Sequence, residues 1–184
     1  MIQINVLEIL TRWSSVLNSA RTTVGKEAIE KDPTTNWKKK ILLAEHSPIR
    51  LLFIRWKWKN IKSWVSVHFV RHKIGIEHFV RTQRVDRTGE DRDHAPQDSP
   101  VDHECIANAQ AIINISRKRL CTSASPETRE AWKLFLKDLK TLEPELYSVC
   151  VCECLYRGFC PQLSSCGYSK TKDFEDKLKD YRKV

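Results

Sequence analysis

The chain has 184 residues, 41% of them hydrophobic and 30% charged, which suits one ordinary folded domain and excludes a multi-domain machine or a wholly disordered polymer. No uncharged apolar run approaches the roughly 18 residues of a membrane-spanning helix, and the opening MIQINVLEILTRW has neither the basic segment nor the cleavage site of a secretory leader, so a soluble, cytoplasmic protein is expected. The net charge is +9 and unevenly placed: residues 1–84 hold 16 Lys and Arg against 6 Asp and Glu, residues 85–184 hold 16 against 17, and a field of that kind draws nucleic acid or phosphorylated small molecules.

Val6, Leu7, Leu10, Trp13 and Leu17 recur at helical spacing and predict a helix over 6–22. A polar stretch containing Pro33 follows, then a short helix over 37–44, stopped at Ser47-Pro48 because a proline disfavours helical backbone in the residue before it. Ile54, Trp56 and Trp58 alternate with Arg55, Lys57 and Lys59, the pattern of a strand with one buried and one basic face. After a turn near Asn60, the run 64–70 is expected to pair with it as a hairpin. Residues 85–99 are polar and nearly free of apolar anchors, hence a loop, long enough to suggest a functional one.

Ser99-Pro100-Val101-Asp102 supplies a cap, a proline at the first helical position and an early acid, predicting a helix to about Leu120 with Ile106, Ala109, Ile112, Ile113 and Leu120 toward the core. The same opening recurs at Ser125-Pro126-Glu127, and a second helix to about Leu142 carries Trp132, Phe135, Leu136, Leu139 and Leu142 on one stripe. A charged helix over 172–182 closes the chain. The order of helix, hairpin, then helices gives an α+β protein, a single domain over 1–184 with 150–184 as a Cys-rich appendage.

Five of the seven cysteines (Cys150, Cys152, Cys154, Cys160 and Cys166) fall within 150–166. Zinc or an iron–sulfur cluster is one account of them, but the C-x2-C pairs of such sites are missing and buried free thiols are ordinary, so no metal ligand is assigned. His94 and His103 read as loop and helix-start residues. With five glycines and neither G-x-G-x-x-G nor G-x-x-x-x-G-K, the chain has no Rossmann turn or P-loop.

Two constellations carry chemistry. Arg71-His72-Lys73 followed by Arg81, Thr82, Gln83 and Arg84 is a dense anion-binding set, since the planar guanidinium suits bidentate phosphate contacts. In Asn108–Arg119, the end residues lie eleven positions apart and within about 20° on one helical face, while Gln110, Asn114 and Arg117 make a second polar stripe.

Together these segments resemble the flavin-dependent thymidylate synthases (ThyX). The family signature R-H-R-x-x-S-x-N-x-x-S-x-R is met by RHKIGIEHFVRTQR (71–84), and its downstream N-x-R-x-x-x-N-x-x-x-x-R by NAQAIINISRKR (108–119). The likeness runs faintly from about Ala20 to Cys166. Lys73, Ile76 and His78 replace an arginine, a serine and an asparagine, and Gln110 an arginine; the final S-x-R is matched by Thr82-Gln83-Arg84 with one inserted residue, or by Arg81 and Gln83 without it. His46-Ser47-Pro48-Ile49-Arg50 falls where the family has a Thr-Pro-Phe-Glu-His-type segment, with Leu51 at the histidine.

The resemblance implies a homotetramer of small antiparallel sheets packed with helices, binding FAD between subunits and making dTMP from dUMP with methylenetetrahydrofolate and NADPH. It places Arg50, Arg71, His72, Lys73, Asn108 and Asn114 toward FAD, and His68, Arg81, Thr82, Gln83 and Arg84 toward dUMP. Arg119 would bind the uracil and carry the catalytic role. These anionic ligands would account for the positive half of the chain. A rival reading is a basic, metal-stabilised nucleic-acid module using the Trp56/Lys57/Trp58/Lys59 hairpin; a third is a relative with altered nucleotide or one-carbon chemistry.

Overall fold

The computed structural model describes residues 2–183, the side chains of Asn5 and Val6 excepted. Strand β1 (Gln3–Ile9) leads into helix α1 (Trp13–Thr22); α2 (Thr35–Leu43) and a 3-10 turn (Ser47–Leu51) precede β2 (Phe53–Lys62) and α3 (Ser63–Val70). Then come β3 (Ile76–Val80), the single turn α4 (Val85–Thr88), β4 (Pro100–Asn108), α5 (Ala109–Arg119), α6 (Pro126–Leu142), α7 (Pro144–Val149), α8 (Glu153–Arg157) and α9 (Lys172–Arg182). The four strands form one antiparallel sheet in the order β1-β2-β4-β3.

The α+β class stands, as do α2, β2, α6 and α9; three expectations do not. Residues 6–9 belong to a strand rather than to the helix predicted over 6–22, because β2 offers an edge to which 3–9 pair, Leu7 opposite Trp56. Residues 63–70 are helical and form no hairpin. Both edges of β2 are taken by β1 and β4, and the buried positions Val65, Ser66 and Phe69 have the i, i+4 spacing of one helical face, so packing overrides the strand propensity of this Val- and Phe-rich run. Residues 100–108 are a strand, not the first turns of a helix. Val101, His103, Cys105 and Ala107 alternate into the core with Asp102 and Glu104 outward, and α5 begins only at Ala109 with Asn108 as its cap.

One face of the sheet is buried against α3, α5 and α6. Trp56 and Trp58 are wholly inaccessible and lie among Phe69, Trp132 and Phe135, with ring centroids 4.3 Å apart for Trp56–Phe135 and 4.5 Å for Trp58–Phe69. The Trp58 and Trp132 indole N–H groups donate to the Ala131 carbonyl (3.1 Å) and to Ser116 Oγ (3.0 Å). Ile106 and Leu120 are only half-buried and Leu142 is exposed, so the core stripes are narrower than expected. On the other face Arg55 pairs with Glu104 at 3.0 Å and Lys57 with Asp102 at 3.1 Å across strands. The basic outer face expected of β2 is thus largely neutralised, and no base can stack on its tryptophans, which removes the basis of the nucleic-acid reading.

Residues after Cys150 add a second, smaller apolar cluster of Cys152, Leu155 and Phe174. No described helix is long and apolar enough to cross a membrane.

Candidate functional site

The C-terminal ends of α3 and α5 meet, and Arg119 is the residue that joins them. Its Nε donates to His72 Nε2 at 3.0 Å and its Nη2 to the His68 carbonyl at 2.6 Å, so two of its five N–H groups are committed and the rest remain for a ligand. Since Arg119 donates to it, His72 Nε2 carries a lone pair and the ring is neutral. Burial, then the Arg119 charge, pushes the His72 pKa down to about 4. His68 is lowered too, by burial and by Arg119 and Arg71, and its Nδ1 meets Thr128 Oγ1 at 2.9 Å. Arg119 itself is lowered by burial and by Arg71, yet a guanidinium stays charged. The site is thus a half-buried cation held by the uncharged His72 imidazole and the His68 carbonyl, with a further cation, Arg71, acting on it, while Lys118 is paired with Glu153 at 3.1 Å. Such a surplus of positive charge suits an anion.

Arg71 and Lys73 are exposed on the turn after α3, and this turn reverses at Gly75, whose φ of 73° lies in the region where glycine is favoured. The Gly75 carbonyl accepts from the Asn108 backbone N–H at 2.9 Å. Asn108 is buried and caps α5, its Oδ1 accepting from the Ala111 N–H at 2.9 Å. Its amide packs so closely on Gly75 that a Cβ there would lie 2.7 Å from Asn108 Nδ2.

Beyond β3 the chain delivers Arg81, Thr82 and Gln83 to a cavity of about 260 Å³ walled by Glu90, Asp91, Arg92 and Ser99–Val101. The long polar loop is therefore one wall of this cavity, and it sets Glu90 and Asp91 beside the Arg81 cation. Arg84 is turned away from this set and gripped by Asp86 at 2.8 and 2.9 Å. Three extended residues, about 10 Å, separate Arg81 from His78.

Two expected residues lie elsewhere. Asn114 is exposed on the opposite side of α5 from Arg119, bonded by Gln110 and Arg117, and both of these also hold Glu45. Glu45 takes φ = 51° at the end of α2, where the N–H groups of Glu45 and His46 close a Schellman-type cap on Leu42 and Ile41. His46 therefore caps α2 through its backbone. Arg50 is exposed on the 3-10 turn, where Pro48 and Ile49 are buried beneath it.

His103 is neither at a helix start nor on the surface. It is fully buried in mid-strand, where His78, His103 and Cys105 gather on the core face. Its signal in the sequence was the alternation Val-Asp-His-Glu-Cys. Thr128, reached by His68, and Glu45 carried no sequence signal.

The fold, a four-stranded antiparallel sheet flanked by α3, α5 and α6, is ThyX-like. Among solved structures the chain is similar to ThyX from Helicobacter pylori complexed with FAD and dUMP (TM-score 0.65, 13% identity, covering 82% of this chain and 99% of that one). It is also similar to the UMP/dUMP methylase PolB from Streptomyces cacaoi bound with 5-Br dUMP (TM-score 0.61, 11% identity, 81% and 93%). No protein-family model and no curated protein sequence matches the chain.

Proposed function

We propose that the chain is a nucleotide methyltransferase acting on a pyrimidine nucleoside monophosphate, and specifically a flavin-dependent thymidylate synthase that makes dTMP from dUMP with methylenetetrahydrofolate as carbon donor and NADPH as reductant. The observation that carries this reading is the pair of donor bonds tying Arg119 to a neutral His72 and to the His68 carbonyl, in a fold shared with enzymes solved with dUMP or its bromo analogue.

The uncompensated charge of Arg71, Lys73 and Arg119 fits a dinucleotide phosphate better than a neutral ligand. In this reading Arg71, Lys73 and Arg50 hold FAD, with His72 Nδ1–H and the Asn108 amide beside it. Bound FAD supplies the redox chemistry that no side chain of the site offers. Asn114, exposed in the single chain, reaches the flavin of a neighbouring copy in a homotetramer. Arg81, Thr82 and Gln83 take the nucleotide phosphate, and Arg84 stays with Asp86.

The free N–H groups of Arg119 bind the pyrimidine. A fixed cation in a half-buried pocket favours the enolate-like form, with charge on the ring oxygen and an electron-rich carbon 5, over the neutral ring. The uncharged His72 ring and the His68 carbonyl orient Arg119 without competing for the anion.

Purified protein should be yellow and release FAD on denaturation. Anaerobic NADPH oxidation should depend on dUMP, and Arg119→Ala should lower dTMP formation by about 10²–10³-fold or more with the fold retained. Unchanged turnover in that variant would remove Arg119 from the mechanism. Because PolB takes UMP as well, UMP belongs in the same assay, and methylation of UMP alone would assign the altered-nucleotide branch.

A further inference from the structure

Behind the Arg119 site, β3 and β4 bring three soft donor atoms together. The register sets His78 directly opposite Cys105, and His103 lies two residues before Cys105 on the same strand and therefore on the same face. His78 Nδ1 and His103 Nε2 are 2.9 Å apart, and Cys105 Sγ lies 3.4 and 3.3 Å from them. A tetrahedral zinc ion with bonds of about 2.0–2.1 Å to nitrogen and 2.3 Å to sulfur needs edges of roughly 3.3–3.6 Å. The three atoms fall within about half an ångström of that triangle.

The far side of each ring is also in place. His78 Nε2 lies 2.8 Å from the His72 carbonyl, which only accepts, so His78 bears its proton there and turns a lone pair at Nδ1 toward the cluster. Without metal, His103 Nε2–H donates to that lone pair and its Nδ1 accepts from Ser66 Oγ at 3.1 Å; moving the ring proton to Nδ1, where Ser66 Oγ can accept it, frees Nε2 to ligate. Imidazole ligands oriented by a carbonyl or hydroxyl oxygen are what metal centres require. His103 and Cys105 are wholly inaccessible and His103 is set against Trp58 and Phe69, a costly place for an imidazole kept only for packing. His78 is partly exposed and gives an approach. Among the described residues this is the one such gathering of potential ligand atoms; in the Cys150–Cys166 segment, only Cys152 and Cys154 lie within contact, at 3.3 Å.

We propose that His78, His103 and Cys105 bind one zinc-class divalent cation between β3 and β4, with water as fourth ligand on the His78 side. On binding, the Cys105 thiol forms the metal–sulfur bond and releases its proton to solvent. Because His78 grips the His72 carbonyl, the cation steadies the turn that presents His72 to Arg119, so its role is positioning, independent of the nucleotide chemistry.

The test needs no nucleotide. Chelator-treated full-length protein is titrated with Co²⁺, and with Zn²⁺ against a chromophoric chelator. One equivalent should bind, with tetrahedral cobalt bands and a thiolate charge-transfer band, both lost in Cys105→Ser and in the more exposed His78→Asn. A Cys152→Ser/Cys154→Ser chain should keep them, and Ser66→Ala should weaken affinity about 10–100-fold. Circular dichroism and melting in chelator confirm that each variant is folded. Absence of tight stoichiometric metal, or a charge-transfer band that survives Cys105→Ser, overturns the proposal and leaves a neutral hydrogen-bonded cluster.

Discussion

Gly75→Ala tests how the site is joined to the fold. Gly75 has φ = 73°, where a side chain costs about 1–2 kcal/mol of backbone strain, and its new Cβ would lie 2.7–3.0 Å from the amide of Asn108. That amide cannot retreat freely, because its oxygen caps α5 through the Ala111 N–H. Losing the cap adds about 1 kcal/mol, so Gly75→Ala should cost about 2–3 kcal/mol of a stability typically near 5–15. Asn108→Ala alone should cost about 1 kcal/mol, the cap only. In that background nothing remains to collide with, and Gly75→Ala should then cost only the strain. Urea unfolding followed by tryptophan fluorescence measures all four corners of the cycle. Strictly additive losses would show that Gly75 and Asn108 do not press on one another and would refute the close packing.

Arg119→Gln should raise the His72 pKa from about 4 while leaving it below 6.5, because burial, the larger cause, persists; histidine proton NMR across pH reads this directly, and an unmoved resonance would deny the contact. The depressed His72 pKa also sets a sign: the unfolded chain binds a proton near 6.5 and the folded chain near 4. Stability should therefore be full above pH 6.5 and fall toward pH 4, by about 1–2 kcal/mol for this half-buried ring; a melting temperature flat across that window contradicts it. Arg81→Ala should weaken nucleotide binding about 10–100-fold by calorimetry, whereas Arg84→Ala, already neutralised by Asp86, should change it little. Glu143 is raised by burial although Trp13 Nε1–H donates to it at 2.9 Å. Glu143→Gln keeps an acceptor and sheds the charge, so it should melt higher at pH 7, the gap closing as the pH falls through the raised Glu143 pKa toward the ordinary carboxyl range.

Local chemistry made several features of this chain legible before folding. Ser125-Pro126 opened α6 and Lys172–Arg182 was a helix, because caps and a 3.6-residue stripe act within a turn or two. The alternation of Trp56 and Trp58 with cations identified β2, and Arg71-His72 with Asn108 and Arg119 marked the ThyX likeness, His72 and Arg119 being the pair that meets where α3 and α5 end. What sequence could not supply was competition between elements. Whether 63–70 became strand or helix depended on which edges of β2 were already occupied, and whether Ser99-Pro100 opened a helix depended on β2 and β3 standing ready to pair with 100–108. The same register decided the chemistry: His78, His103 and Cys105 are distant or alternating letters in the chain, and only strand pairing sets their donor atoms 2.9–3.4 Å apart. Propensity and capping are short-range and could be read off directly; edge occupancy and cross-strand placement are properties of the assembled sheet, settled only when every segment has found its neighbour.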